Sequence, residues 1–175
     1  MRFITHRIGR QYQATADRVH AGVDAAIAIV EKSARGRVGS LEVAVTNTAG
    51  MWETVVAAHE PLFGRRKSKE WRRNEGSPFG TTTVTSVGVL VVINAQTCRG
   101  RTVEIDKTLL HEITHAVQFN RPGARDLLMR SLSNNYGLTA MTTAEAAAAN
   151  RQVDTDEREA ERMERHHRQL AKSLA

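Results

Sequence analysis

Apolar side chains recur at Val19, Val23, Ile27 and Val30, and this spacing predicts a helix over 14–34 that Gly36 can end. The run LEVAVT at 41–46 alternates apolar and polar positions and predicts a strand. A short helix is expected over 51–59, stopped ahead of Pro61. Residues 61–80 are polar, basic and punctuated by Gly64, Gly76, Pro78 and Gly80, as in a loop or an ordered insertion. The β-branched run TTTVTSVGVLVVIN predicts one long strand or two short ones, ending at Asn94. A strongly helical segment follows over 103–119, closed by Asn120, Pro122 and Gly123. A shorter helix is expected over 124–132, then a loop at SNNYGLT and an Ala-rich helix at TTAEAAAANRQ. The last helix is expected from Asp154 or Thr155, as its cap, to near Leu170, with acidic residues in its first turn where the helix dipole favours them. No internal repeat is present. The pattern describes one α+β domain over 1–175. Residues 1–80 would supply a long N-terminal helix, a strand and a basic loop; residues 81–175 would supply the remaining sheet and helices.

Composition sharpens this picture in three places. Apolar residues make up 41% of the 175 positions and aromatics only 5%, so the core is expected to be built of small aliphatics. Cys98 is the single cysteine, which excludes an intramolecular disulfide and a cysteine-based zinc cage. The first residues lack the continuous apolar stretch of a secretory signal, and no apolar run is long enough to span a bilayer. A cytoplasmic protein without a membrane partner is the expectation.

The net charge is +6, with arginine greatly outnumbering lysine. Arg65, Arg66, Lys67, Lys69, Arg72 and Arg73 surround Trp71, a composition able to track phosphates and stack on a base. The plainer reading is a solvated basic loop, because no nucleic-acid-binding fingerprint accompanies it. Nucleic acid, or a larger assembly, stands as a candidate partner of this stretch.

The strongest chemical signal is His111-Glu112-Ile113-Thr114-His115, an HExxH motif on a predicted helix. Two histidines one turn apart share a face and can reach one ion. Glu112 lies about 100° around from His111, flanking that face, where it can exchange a proton with water. Leu109, Ile113, Ala116 and Val117 form the opposite, apolar face. The pattern points to zinc, one per chain, and to hydrolysis of a peptide or protein substrate. The alternative is a pair of surface histidines on an ordinary amphipathic helix.

Catalytic zinc needs a third protein ligand and an open position. Gln118 and Arg121 stand where a glycine and a third histidine would complete one close-range pattern, and Asn120 stands where another would need histidine. The ligand must come from farther along. In DEREAERMERHHRQL, an ideal helix puts Met163, His166 and Leu170 within about 40° of Glu159, while Glu157, Glu161 and Glu164 point away. Glu159 is therefore the preferred third ligand, and a salt-laced surface helix is the plain alternative. His166 is a further candidate, as ligand or transition-state donor, and Tyr136 is a candidate oxyanion donor. His6, His20 and His59 carry no partner pattern.

The run 87–94, the segment LLHEITHAVQF and the later EREAE together resemble the zincin metallopeptidases, and among these the gluzincins. The resemblance covers roughly residues 82–170. It implies His111, His115 and Glu159 as metal ligands and Glu112 as general base. Relatives commonly carry Glu-Ala-Asp or Glu-Ala-Asn where this chain has Glu159-Ala160-Glu161. The zincin fold also implies an edge strand that pairs with extended substrate, which would fall on Val87, Val89 and Val91. Their continuous valines equally suit a central strand buried on both faces. Two rival functions remain open from sequence: a DNA-associated metalloprotease recruited through 65–73, and a zincin-fold structural protein without turnover.

Overall fold

Strands β1 (Arg2–His6), β2 (Leu41–Thr46), β3 (Gly80–Val84) and β4 (Val89–Asn94) form one mixed sheet in the computed structural model, which describes residues 1–64 and 77–175. The sheet order is β1-β2-β4-β3; the first three run parallel, and β3 is antiparallel to β4 at the edge. Parallel neighbours cannot be joined by a tight turn, and the long helix α1 (Gln13–Ala34) makes the crossover from β1 to β2. The protein is thus α+β, with a small sheet and mostly helix around it.

Side-chain alternation explains how the inner strands read as continuous apolar runs. Val43 and Val45 of β2, with Val89, Val91 and Ile93 of β4, face the core shared by α1 and α4 (Thr102–Phe119), the helix that follows the single turn α3 (Ala95–Cys98). Ala44, Leu90 and Val92 face the other way, against Met51 of α2 (Thr48–Phe63). A strand covered on both faces has no polar side to show. This corrects the assignment of Val87, Val89 and Val91 to a substrate edge: β4 is an inner strand, Val89 and Val91 are buried in the core, and Val87 is 80% exposed in the turn before it. The edge on that side of the sheet is β3.

Helix α2 runs through Pro61 rather than stopping before it. Proline removes one intrahelical hydrogen bond, but Phe63 beyond it is buried and stacks on Tyr136 at 4.9 Å, and that packing offsets the loss. Tyr136, expected as an oxyanion donor, is instead buried, with its hydroxyl 2.8 Å from His59 Nδ1. His59 Nε2 lies 2.6 Å from Thr83 Oγ1, so the imidazole ties α2 to β3. The Tyr136 phenol therefore belongs to the core and not to a cleft.

Burial pushes His59 well below the usual 6.5, to about 4. A histidine held neutral in the fold gives stability that is complete above the unfolded pKa and lost as pH falls through the folded one. The native protein is expected to lose roughly 3 kcal/mol from this group between about pH 6.5 and about pH 4. Denaturant unfolding at both pH values, in wild type and His59→Gln, checks this: the variant should lack most of that loss.

Helix α4 is the most enclosed helix, with Ile105, Leu109, Ile113, Ala116 and Val117 in the main core. Its register on α1 is fixed by Arg18, which donates two hydrogen bonds of 2.9 and 2.7 Å to buried Asp106. Helix α5 (Ala124–Asn135) follows, and Arg125 donates to the carbonyls of Thr85 and Gly88, bracing the β3–β4 hairpin.

The C-terminal region differs from expectation. One helix, α6 (Thr143–Met163), replaces the two predicted. It begins at a capping box in which Thr142 and Glu145 satisfy each other's backbone N–H groups. Thr155, expected as a cap, lies inside the helix and bonds back to the Arg151 carbonyl. A 3-10 turn (Glu164–His166) then interrupts the helix before α7 (His167–Ser173). Leu170 of α7 and Met163 of α6 both enter the core. No helix among the described residues is long and apolar enough to cross a membrane.

Candidate metal centre

Helix α4 turns its apolar side to the sheet and presents His111, Glu112 and His115 to a cleft of about 580 Å3. Edge strand β3 forms one wall, through Gly80, Thr81 and Thr82, and α6 forms the other. The two histidine Nε2 atoms lie 3.1 Å apart. Glu157 of α6 stands against both, with carboxylate oxygens 3.3 Å from each Nε2. Among the described residues this trio is the group of three or more whose donor atoms could hold a metal ion. The three separations resemble the edge of a tetrahedron, about 3.3–3.4 Å for bonds of about 2.0–2.1 Å.

Both rings are oriented from behind. The Nδ1–H of His115 donates to Gln118 Oε1 at 2.7 Å, and that of His111 to Glu164 Oε1 at 3.1 Å. A hydrogen bond at Nδ1 leaves the Nε2 lone pair for a ligand bond and fixes the ring plane. Burial alone would depress His115, but hydrogen bonding to Glu157 and the charge of Glu112 outweigh it, and the ring is held above the usual histidine range. Hydrogen bonding to His115 likewise holds Glu157 below the usual carboxylate range. A cation replacing the proton in this cluster would meet the same three donors.

Glu112 projects toward β3. The Thr82 hydroxyl lies 2.7 Å from Glu112 Oε2 and can donate to it, or to the Glu112 carbonyl at 2.9 Å. Burial raises the Glu112 carboxyl above its ordinary value, against the opposing pull of His115 and Thr82. Gly80, two residues before Thr82 and on the same strand face, makes room for it. A Cβ at Gly80 would stand 2.8 Å from Glu112 Cγ and Oε1 and 2.9 Å from Thr108 Cγ2. Gly80→Ala is therefore expected to cost about 1–3 kcal/mol of stability and to displace the Glu112 carboxylate. Thermal unfolding and turnover together check both effects.

The third acidic partner is a correction to the sequence reading. Glu159 does not meet the histidines; Arg121 clamps it through two hydrogen bonds of 2.7 Å, and Gln118 Nε2 donates to it at 3.0 Å. The Arg121 guanidinium holds its carboxyl below the usual range. The cause lies partly in the 3-10 turn at Glu164–His166 and partly in where the inward stripe of α6 is centred. Angles counted back from His166 and Leu170 assume an unbroken helix, and that register is lost at the turn. The inward stripe of α6 is centred on Ala160, with Ala149 and Met163. Relative to Ala160, Glu157 and Glu164 fall within about 60°, whereas Glu159 lies about 100° to the other flank. His166 also lies outside the cleft, its Nδ1 3.2 Å from Gln169 Oε1.

Sequence reasoning missed Glu157, Glu164, Gln118, Thr82 and Gly80. The apolar spacing of Ala149, Val153, Ala160 and Met163 carried the signal for the first two. Gln118, three residues beyond His115, was readable as its neighbour on the helix surface. The pairing of Thr82 and Gly80 with Glu112 depends on how β3 crosses α4, and no local pattern encodes it. The basic set Arg65, Arg66, Lys67, Lys69, Trp71, Arg72 and Arg73 lies outside the described residues.

No protein-family model, curated protein or solved structure matches the chain. Its chemistry is read from the residues and their geometry.

Proposed function

We propose that the chain is a zinc-dependent metallohydrolase, a gluzincin-like peptidase of zincin type. His111, His115 and Glu157 would hold one zinc ion, and Glu112 would act as general base. The observation that carries this reading is the triangle of donor atoms, two Nε2 and one carboxylate, opening on a cleft with Glu112 beside it. Two histidines and one glutamate with an open fourth position make the donor set of catalytic rather than structural zinc. Bound zinc would supply Lewis acidity, lowering the pKa of water and polarising the substrate carbonyl.

The chain's own residues supply the rest. Glu112 takes the proton of the attacking water and returns it to the leaving amine. Burial raises its carboxyl in the metal-free protein, and the charge of a bound zinc would act in the opposite direction. Thr82 fixes the carboxylate without a positive charge that would weaken it as a base. The wall formed by β3 is a sheet edge, on which an extended peptide can add as a further strand through main-chain hydrogen bonds. Such pairing reads backbone more than side chain, so an unfolded protein is the appropriate first substrate.

The test is hydrolysis of a denatured protein by zinc-loaded chain, followed on gels and by mass spectrometry. Cleavage that stops on chelation and returns with zinc is expected. Stoichiometric zinc with no cleavage of any unfolded or peptide substrate would contradict the peptidase reading.

A further inference from the structure

We infer that Glu159 and Arg121 are positioning residues for the metal-binding histidine His115, acting through the Gln118 side-chain amide. The inference rests on the metal-centre reading above, but assigns these two residues a role that reading does not need.

Gln118 is 1% exposed, so its amide must find partners within the protein. The two ends of a primary amide are not equivalent: the oxygen only accepts and the nitrogen only donates. Gln118 Nε2 donates to two acceptors on the α6 side, Glu159 Oε2 at 3.0 Å and the Asp156 main-chain carbonyl at 2.9 Å. Two acceptors there leave no favourable place for the amide oxygen, which is forced toward His115 Nδ1 at 2.7 Å. An oxygen at that point requires a proton on Nδ1, and a neutral ring with Nδ1–H carries its lone pair on Nε2, toward the cleft.

The flipped amide would do the reverse. Its NH2 group would face Nδ1, the ring would have to accept there, and its one proton would sit on Nε2, where a metal ligand needs a lone pair. Its oxygen would also face the Glu159 carboxylate and the Asp156 carbonyl. The Glu159 carboxylate is what makes that orientation unfavourable, and Arg121 holds it through two parallel 2.7 Å bonds. Four side chains thus form one directed chain, from Arg121 through Glu159 and Gln118 to His115. Helix α6 contributes twice to one ligand set: Glu157 directly, and Glu159 by selecting the His115 tautomer.

Zinc affinity, measured by competition with a chromophoric chelator, tests this on the full chain. Glu159→Ala is expected to weaken zinc about 10–100-fold while still binding one ion at saturation. Adding Gln118→Glu to Glu159→Ala is expected to restore most of the loss, because a carboxylate accepts from Nδ1–H through either oxygen and needs no orientation. A purely structural loss of α4–α6 docking would not be repaired by that second change. Arg121→Gln leaves Glu159 in place and should weaken zinc by a smaller factor, which keeps the test available if Glu159→Ala does not fold. Wild-type affinity in both Glu159→Ala and Arg121→Gln would overturn the positioning role and leave the metal centre standing. Loss of zinc in Glu159→Ala beside tight binding in Glu157→Ala would make Glu159 the ligand and overturn both. A wild-type chain that binds no zinc would overturn the metal reading itself.

Discussion

Replacing Glu157 with alanine is expected to lower zinc affinity by about two to three orders of magnitude. Complete sites are worth about 10–16 kcal/mol, so one ligand among three or four carries about 3–4 kcal/mol. Glu157 is also the only negative charge in the proposed donor set; without it two neutral imidazoles face a dication. The fold should tolerate the change, because the Glu157 side chain is 48% exposed and its ion-pair partners are the two histidines. Metal-free wild type and Glu157→Ala should therefore unfold at similar temperatures while their zinc-loaded forms diverge. The sequence alone would direct this experiment at Glu159, two residues away, where the expected loss is about tenfold to a hundredfold and repairable.

Glu112→Gln is expected to separate chemistry from binding. The amide keeps the shape of the carboxylate and its oxygen can still accept from Thr82, but it cannot take a proton from water. Turnover should fall by about 10²–10⁴-fold, the usual contribution of general acid–base catalysis, with zinc content unchanged. Stability should hold or rise, since the variant no longer buries a carboxyl that desolvation disfavours. A variant that lost zinc together with activity would place Glu112 among the ligands instead.

Much of this fold can be read from pattern because the pattern is local. The α1 periodicity, the alternation of LEVAVT and the helical face of 103–119 each depend on neighbours a few residues apart, and the elements observed over 13–34, 41–46 and 102–119 follow them closely. The histidine pair with Glu112 shares that property, since one helical turn sets their geometry. Pro61 was over-read as a stop because the stacking of Phe63 on Tyr136 is a tertiary contact across 73 positions of chain. Val87, Val89 and Val91 could suit an edge or a centre. Only the position of β3 decides between them, and antiparallel pairing through a hairpin places β3 outside. Glu159 was preferred over Glu157 on two grounds: its Glu-Ala pair resembles the gluzincin pattern, and a helix assumed continuous to Leu170 put His166 and Leu170 on its face, whereas the chain carries a 3-10 turn at Glu164–His166. A shift from 3.6 to about 3.0 residues per turn over one turn rotates the face of Leu170 by about 60° relative to α6, so Leu170 no longer marks the inward side of Glu159. The same sequence does show Ala149, Val153, Ala160 and Met163 at helical spacing, and weighting those smaller residues would have turned Glu157 toward the histidines.

The central claim is that His111, His115 and Glu157 share one zinc ion. Crystals grown with zinc, measured on both sides of the zinc absorption edge, address it directly, because the anomalous difference locates the ion without reference to any assumed ligand. One strong peak about 2.0–2.2 Å from both Nε2 atoms and a Glu157 oxygen is the predicted result. A peak coordinated by Glu159, or no peak at the two histidines while zinc binds elsewhere on the chain, would contradict it.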